Sequence, residues 1–201
     1  MGEATTCWAL IPIKPPGQGK SRLSGALDAQ VRSRLVEAML KRVADAARAS
    51  PAIQRVCLLS DPELRCAAPL AVLNDAGGGL NTALEAAMAT LPQPAPDRIV
   101  VIAADLPQLS PQDLTMLATV SPRTIAIAPD RHGMGTNAIS LPITAAQRFR
   151  FQFGTQSFIA HRHEADRLGY SVETMLSDGL EKDIDEPADL PDAEVCLQEA
   201  L

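Results

Sequence analysis

The sequence has few aromatic residues, no paired cysteine motif and no long apolar segment. Phe, Trp and Tyr make up 3% of its 201 residues, so we expect a core of Ala, Val, Leu and Ile. No apolar run approaches the roughly 18 residues of a membrane span. The four cysteines form no C-x-x-C pair and no zinc-type spacing, and we interpret them as reduced thiols.

The net charge and the first residues of the chain limit the class of protein further. The net charge of −6 argues against a protein that coats nucleic acid. It does not argue against phosphate substrates, because bound metal ions and a few lysines reverse the local sign. The chain starts without the basic and apolar stretches of a signal peptide. We therefore expect a cytoplasmic protein that binds neither nucleic acid nor a membrane.

Strand-like and helix-like segments alternate along the chain, which indicates a mostly parallel sheet with helices on both faces. The length fits one domain over residues 1–201. Strands are predicted at 8–13, 55–60, 70–73, 98–104, 124–128, 138–142 and 171–176. Helices are predicted at 29–49, 80–91, from Ser110 onward, 156–168 and 187–200.

Three aspartates form a candidate metal site. Asp105 follows the most apolar strand-like segment, at 98–104. Asp183 and Asp185 flank Ile184, and alternate residues of an extended chain point the same way. Carboxylates are the hard oxygen ligands that Mg²⁺ prefers. The pattern predicts that the three aspartates hold magnesium.

A basic segment follows the first predicted strand. Lys14, Lys20 and Arg22 place three cations within nine residues, and two glycines between them let backbone N–H groups approach an anion. This favours a phosphate site and, with the aspartates, a bound magnesium–nucleoside triphosphate. A P-loop fits less well, because Lys14 stands where its first glycine belongs and two prolines lack N–H donors. A solvated basic loop is the other alternative.

Five short motifs occur in order between about residue 8 and residue 190. They are K-P-x-x-x-x-K-S-R-L at 14–23, A-D-L-P at 104–107, G-T-N at 135–137, F-G-x-x-S-F at 153–158 and D-I-D-x-P-x-D-L at 183–190. Together they resemble the 2-phospho-L-lactate guanylyltransferase family, which acts in coenzyme F420 biosynthesis. The resemblance implies a Rossmann-like α/β sandwich of the nucleotide-diphospho-sugar-transferase type.

The resemblance also implies a reaction. Members of this family transfer GMP from GTP to a small phosphorylated three-carbon acid and release pyrophosphate. The acceptor would be 2-phospho-L-lactate, phosphoenolpyruvate or 3-phospho-D-glycerate. A phosphate monoester is already largely ionised at neutral pH, so the attack needs no general base.

Site roles carry over to the matching positions of this chain. Three groups would act on the nucleotide: the aspartates as Mg²⁺ ligands, Lys14 as a triphosphate contact, and Lys20 and Arg22 as stabilisers of the leaving pyrophosphate. The acceptor would bind Thr136, Gly154 and Ser157. The segment of three glycines that ends at Asn81 would lie near the guanine base, with Asn81 or backbone groups contacting the base edge. His161 is a candidate support for the Ser157 region, and the four phenylalanines at 149–158 are either a pocket wall or a packing cluster.

Alternative functions remain open. A sugar-phosphate or molybdopterin nucleotidyltransferase would keep the fold, although such enzymes usually carry a glycine-dominated turn where this chain has Lys14-Pro15-Pro16. A catalytically silent nucleotide-binding subunit is an alternative from another class. A homodimer, and transfer of the product to a downstream coenzyme-assembly transferase, are further expectations.

Overall fold

A computed structural model describes residues 5–13, 20–60, 71–75 and 77–200. Its strands form one seven-stranded sheet in the order β3-β2-β1-β4-β6-β5-β7. The strand bounds are β1 (Cys7–Pro12), β2 (Arg55–Ser60), β3 (Ala71–Asn74), β4 (Arg98–Ile102), β5 (Thr124–Pro129), β6 (Thr136–Pro142) and β7 (Ser171–Thr174).

The helices lie between these strands and after the last one. Their bounds are α1 (Ala29–Ala49), α2 (Leu80–Ala89), α3 (Pro111–Ala118), α4 (Ile143–Ala146), α5 (Ser157–Leu168), α6 (Asp178–Glu181) and α7 (Glu194–Ala200). Two 3₁₀ helices span Ser21–Gly25 and Pro187–Ala193. None of the described helices combines the length and hydropathy that a membrane crossing requires.

Local sequence signals explain where the main helices begin. The Asp28 carboxylate accepts hydrogen bonds from the backbone N–H groups of Gln30 and Val31, which caps α1. The predicted capping box of α3 is present, with Ser110 and Asp113 each bonding the other's backbone N–H. Capping thus fixes two helix starts from local sequence alone.

The direction of β6 creates the edge on which the site is built. Strand β6 runs antiparallel to both β4 and β5, whereas the other pairings in the sheet are parallel. The amino end of β6 therefore lies beside the carboxyl ends of β4 and β5. The backbone N–H of Ala103 donates to the Asn137 carbonyl at 2.8 Å, which joins the two segments.

Alternate residues of the strands fill two apolar layers, one on each face of the sheet. In β4, Val100 and Ile102 pack with residues of α1 and α3, whereas Ile99 and Val101 pack with α2 and Phe149. This period of two is what a strand covered on both faces requires. The predicted sandwich with a mostly parallel sheet is confirmed.

A third apolar cluster packs against the first half of α1, around Leu35 and Met39. Its buried members come from the 3₁₀ helix at 21–25, from α1, from the segment after α6 and from the last helix. They are Leu23, Leu35, Met39, Ile184, Ala193, Cys196 and Ala200. Leu23 follows Arg22, and Ile184 separates Asp183 from Asp185, so burying these two side chains brings the basic and acidic segments together.

The predicted elements agree with the structure apart from a few boundaries and short helices. Strand β6 begins at Thr136, two residues before its predicted start, and residues 187–200 form a 3₁₀ helix followed by an α-helix. Sequence patterns missed α4, α6 and the 3₁₀ helix at 21–25, since five residues or fewer carry too little periodicity. The single domain over 1–201 stays a prediction.

Candidate active site

The candidate site lies at the edge where β1 and β4 end and β6 begins. Lys20 immediately precedes the 3₁₀ helix that follows β1 in the described chain, and Asp105 lies three residues after β4. Asn137, the second residue of β6, donates from Nδ2 to Asp183 Oδ1 at 3.2 Å. Segments far apart in sequence therefore meet here. Ligands of open α/β sheets bind beyond the carboxyl ends of the strands.

Lys20 joins two of the predicted metal ligands. Its ammonium group is hydrogen-bonded to Asp105 Oδ2 and, at 2.8 Å, to Asp185 Oδ1. Burial acts to lower the pKa of Lys20, but attraction to these two carboxylates outweighs it, and the pKa is raised. Lys20 therefore stays charged at neutral pH. Its φ of 57° lies in the left-handed region, a strained conformation that is common at functional sites.

Asp183 carries a desolvated carboxylate. Burial raises its pKa, and the neighbouring charges of Asp105 and Asp185 raise it further, whereas the hydrogen bond from Asn137 lowers it. The repulsion shows that the three carboxylates lie close enough to interact. A bound cation would relieve this repulsion.

The predicted metal site fits a hard divalent cation in the chemistry of its donors. A cationic group, the Lys20 ammonium, already bridges Asp105 and Asp185, and the charges of these two carboxylates act on Asp183. Across residues 5–13, 20–60, 71–75 and 77–200, no three His, Cys, Asp or Glu side chains are grouped as a metal-ligand set. Ligation of one cation by all three aspartates would therefore require their side chains to move closer together and Lys20 to leave Asp105 and Asp185. Metal ligation by Asp105, Asp183 and Asp185 stays a prediction.

Arg22 lies at the mouth of the site. Its guanidinium is 3.8 Å from Asp185 Oδ2 and 3.9 Å from Glu186 Oε1, and its side chain is 69% exposed. An exposed arginine is free to bind the oxygens of an entering phosphate bidentately. Its predicted role at the pyrophosphate is consistent with this position. Lys14, the third predicted cation, lies outside the described residues.

Arg131, in the turn between β5 and β6, holds the acidic segment in place. Its Nη2 donates to the Asp183 carbonyl at 3.1 Å, and its Nη1 lies 3.4 Å from Asp189 and 3.0 Å from Asp192. Asp189 Oδ2 in turn accepts from the backbone N–H of Asp185 at 2.9 Å. Arg131 and Asp189 thus fix the backbone on both sides of Ile184.

The glycine-rich segment and the F-G-x-x-S-F segment are joined by Asn81. Its Nδ2 donates to the Phe153 carbonyl at 3.2 Å, and its Oδ1 accepts from the Phe153 N–H at 2.8 Å. Gly77, Gly78 and Gly79 have φ of 80°, 80° and 91°, so this turn requires residues without a Cβ. The amide of Asn81 is therefore already bonded to protein. Its contact with guanine stays a prediction.

The three predicted acceptor contacts lie around one histidine. Thr136 Oγ1 is 3.0 Å from His161 Nδ1, and Ser157, the first residue of α5, lies four residues before His161 on the same helix. Gly154 has a φ of 134°, which favours glycine. Acceptor binding by Thr136, Gly154 and Ser157 stays a prediction, but the fold brings all three to one region.

The four phenylalanines divide between the core and the surroundings of His161. Phe149 and Phe151 are buried, with ring centroids 5.3 Å apart, as a packing cluster requires. Phe153 contacts His161 edge-on at 4.8 Å, and Phe158 carries Arg162 over its ring at 5.5 Å. The packing interpretation therefore holds for Phe149 and Phe151.

Residue patterns did not identify Arg131, Asn137 or Asp189 as supports of the acidic segment. Asn137 and Asp189 do belong to the G-T-N and D-I-D-x-P-x-D-L motifs, so the motif pattern contained a signal for them. Arg131 lies in no motif, and its three acceptors come from segments more than 50 residues away along the chain. Only the tertiary structure reveals its role.

Known proteins resemble this chain in sequence and in fold. A family model described as guanylyl transferase CofC-like matches residues 7–198. Phosphoenolpyruvate guanylyltransferase of Sphaerobacter thermophilus is 36% identical over 192 residues, covering 92% of this chain and 91% of that protein. The protein of the same name from Roseiflexus castenholzii is 35% identical over 187 residues, covering 91% and 85%.

Two solved structures show the same architecture at low sequence identity. A CMP:2-keto-3-deoxy-manno-octonic acid synthetase complexed with CTP aligns with a TM-score of 0.65 at 13% identity, covering 98% of this chain and all of that one. The Rv0371C protein of Mycobacterium tuberculosis H37Rv, in complex with manganese, aligns with a TM-score of 0.57 at 20% identity, covering 94% and 98%. These likenesses show the fold alone.

The seven-stranded sheet has the architecture of these solved structures and gathers charged residues where β1 and β4 end. The family model and the named relatives show that the class is that of the nucleotidyltransferases. Because the family model covers nearly the whole sequence and the two relatives are at least 35% identical, the chain belongs to the CofC-like guanylyl transferase family. The predicted family and the predicted guanylyltransferase activity are confirmed.

Proposed function

We propose that this protein transfers GMP from magnesium-bound GTP to phosphoenolpyruvate, releases pyrophosphate, and acts in coenzyme F420 biosynthesis. The convergence of Lys20 with Asp105 and Asp185 carries the proposal, since it places a cation and carboxylates at one strand edge. Phosphoenolpyruvate is favoured among the three predicted acceptors because the two relatives above bear its name.

The reaction balances without a proton transfer. A phosphate oxygen of the acceptor attacks the α-phosphorus of GTP and forms a new P–O–P linkage. The bond from the α-phosphorus to its bridging oxygen breaks, and pyrophosphate leaves with that electron pair. The acceptor phosphate is largely ionised at neutral pH, so catalysis depends on positioning and charge stabilisation.

Charge stabilisation would come from the residues at the strand edge. Asp105, Asp183 and Asp185 would hold Mg²⁺, which when bound neutralises charge on the attacking and leaving oxygens. Lys20 would leave Asp105 and Asp185 and bind the triphosphate, since its ammonium is within reach of the same space. Arg22 would bind the departing pyrophosphate from the mouth of the site.

The test is pyrophosphate release from GTP and Mg²⁺ with each acceptor supplied separately. The acceptors are phosphoenolpyruvate, 2-phospho-L-lactate, 3-phospho-D-glycerate and a sugar 1-phosphate. We expect the highest kcat/KM with phosphoenolpyruvate. A preference for another three-carbon acid would replace the acceptor only, and a preference for the sugar phosphate would overturn the proposal. Intact GTP in every reaction would support a silent nucleotide-binding subunit.

Lys20→Met tests the catalytic role of the lysine. We expect pyrophosphate release to fall by roughly a hundredfold or more, because a preorganised charge at the leaving group is lost. Lys41→Met is the matched control, since Lys41 is 72% exposed on α1 and, among the described residues, forms its ion pair with Asp45. Equal rates for the two variants would contradict the assignment.

A homodimer, and transfer of the product to a downstream coenzyme-assembly transferase, stay predictions. The chain offers exposed apolar side chains at Met134 and Ile159, near the proposed acceptor region. Size-exclusion chromatography with light scattering measures the oligomeric state directly.

A further inference from the structure

His161 is a fully buried histidine with a hydrogen bond at each ring nitrogen. It belongs to α5 and packs against the rings of Phe153, at 4.8 Å, and Phe149, at 5.6 Å. Its Nε2 is 3.0 Å from the backbone nitrogen of Gln152, and its Nδ1 is 3.0 Å from Thr136 Oγ1. The ring therefore joins three separate pieces of the chain.

The partner of Nε2 determines where the ring proton lies. A backbone N–H can only donate, so Nε2 accepts from Gln152 and carries no proton. Burial lowers the pKa of His161 to about 4, so the ring is neutral at pH 7, although Glu164 opposes this shift. A neutral imidazole has one proton, which must then be on Nδ1 and is donated to Thr136 Oγ1.

The direction of that hydrogen bond fixes the role of the Thr136 hydroxyl. Its oxygen already accepts from His161, so its proton is left to donate elsewhere. Within the part of the chain that the structure describes, His161 is its hydrogen-bond partner, and Thr136 keeps 7% of its surface exposed. The hydroxyl is thus prepared to donate to a ligand oxygen.

We propose that His161 is a positioning residue that fixes the Thr136 hydroxyl as a hydrogen-bond donor to an anionic oxygen of the acceptor. This inference rests on the proposed function, in which Thr136 contacts the phosphorylated acid. The same ring also holds the Gln152 backbone, two residues before Gly154, and lies one helical turn after Ser157. One side chain therefore connects all three acceptor positions.

The geometry has a chemical consequence for substrate choice. A hydroxyl that can rotate freely either accepts or donates, whereas a hydroxyl held by Nδ1–H is committed to donating. Donation to a carboxylate or phosphate oxygen is stronger than donation to a neutral group. The pair of His161 and Thr136 therefore selects acceptors with an anionic oxygen at this position.

The tautomer can be tested on the unmodified protein. Nitrogen-15 NMR of the three histidines distinguishes a protonated ring nitrogen from a bare one by chemical shift. We expect one histidine, which disappears from the spectrum of His161→Gln, to carry its proton on Nδ1 at neutral pH. A proton on Nε2 would overturn the proposal, whatever the substrate.

Steady-state kinetics test whether His161 affects acceptor binding through the Thr136 hydroxyl. Asn places an amide near the position of His Nδ1, and Gln places one near Nε2. We expect His161→Gln to raise the KM for the acceptor about tenfold, with the KM for GTP little changed, because the Thr136 hydroxyl loses its fixed direction. We expect His161→Asn to restore part of the affinity, which a purely space-filling role would not predict.

Thr136→Val separates failure of this proposal from failure of the proposed function. In that background His161→Gln should have no further effect on the acceptor KM, since the hydroxyl it orients is gone. If Thr136→Val leaves the acceptor KM unchanged, Thr136 is not at the acceptor and the site assignment fails. If Thr136→Val raises the KM but His161→Gln does not, only the role of His161 is overturned.

Discussion

Folding acts in opposite directions on the charges of two single residues at this site, Asp183 and Lys20. Asp183 is partly desolvated beside two other carboxylates, so its negative charge opposes folding in the protein without a bound cation. Its counterpart Lys20 keeps only 11% of its side chain exposed and is charged, because its ammonium pairs with Asp105 and Asp185. Asp183 therefore gives up stability for a charge arrangement that a metal–nucleotide substrate would use, whereas the raised pKa of Lys20 shows that folding favours its charge.

Replacing Asp183 by Asn should therefore change stability and activity in opposite directions. The Asn side chain keeps an acceptor for Asn137 Nδ2 but removes the charge, so we expect the melting temperature without metal to rise by a few degrees. Pyrophosphate release should fall by roughly a hundredfold or more. Calorimetry in EDTA measures the melting temperature, and the pyrophosphate-release assay measures the activity.

Asp178→Asn is the control for that substitution. Asp178 is 81% exposed and its carboxylate pairs with Lys182 at the surface, so neither quantity should change much. An Asp183→Asn protein that is less stable than the wild type without metal would contradict the interpretation of its raised pKa.

His161 makes the stability of the folded protein depend on pH in a defined direction. Its pKa is about 4 in the folded state, below its value near 6.5 in the unfolded chain, so the unfolded chain binds more protons between these values. Stability is therefore complete above about pH 6.5 and declines as the pH falls toward 4. Between about pH 7.5 and about pH 5 the expected loss is roughly 2 kcal/mol.

Urea unfolding of the wild type and of His161→Gln isolates this contribution. Other acid-sensitive groups are common to both proteins, so the wild type should lose about 2 kcal/mol more than the variant between the two pH values. The exposed His163, replaced by Asn, serves as the control and should behave like the wild type. Parallel pH profiles for wild type and His161→Gln would refute the assignment.

At the scale of elements, short helix α6 positions the segment that carries Asp183. Asp113, in the first turn of α3, accepts from the Ser177 hydroxyl at 2.6 Å just before α6 begins. Asn137 donates to the Leu180 carbonyl at 3.0 Å near its end. The helix is only one turn long, so its stability comes from these contacts and not from its own hydrogen bonds.

Gly179→Ala tests how closely α6 packs against α3. An added Cβ would lie 2.4 Å from Asp113 Oδ2 and 2.8 Å from the Gln108 carbonyl, so the helix must shift. We expect a loss of roughly 1–3 kcal/mol in the free energy of unfolding, together with weaker activity. Gly25→Ala is the matched control, because a Cβ there meets nothing within 4 Å. Chemical denaturation compares the two variants, and equal stability would exclude close packing at Gly179.

At the scale of the whole molecule, the third apolar cluster connects distant parts of the chain. It packs Leu23, from the start of the chain, against Ile184 and against Cys196 near its end. Since each of these residues is buried, the basic and acidic segments are held together by the core as well as by ion pairs. Ligand binding at the site should therefore be coupled to the stability of the whole fold.

GTP with Mg²⁺ should raise the melting temperature of the whole protein in one cooperative step. A ligand at about one hundred times its Kd adds roughly 2.7 kcal/mol, which for a chain of this size is about 5–10 °C. EDTA should remove most of this shift, because the triphosphate would then face three unneutralised carboxylates. Differential scanning calorimetry measures this shift in melting temperature. Two separate transitions would contradict the single domain, and an unchanged shift in EDTA would contradict magnesium binding.

The sequence by itself determined most of the elements and the family. Long amphipathic or apolar segments such as α1 and β4 are encoded locally by periodicity and capping, and the five ordered motifs identified the guanylyl transferase class. The same patterns named Lys20, Arg22, Asp105, Asp183 and Asp185 as candidates. Charge type and spacing are properties of the chain, so no fold is needed to see them.

The tertiary structure alone decided which of these residues meet and what supports them. The reversed strand β6 brings Asn137 to Asp183, and the turn after β5 brings Arg131 to the same segment. The hydrogen-bond partners of His161 and Asn81 likewise come from other parts of the chain. Such contacts depend on long-range packing, which the order of residues along the chain does not display.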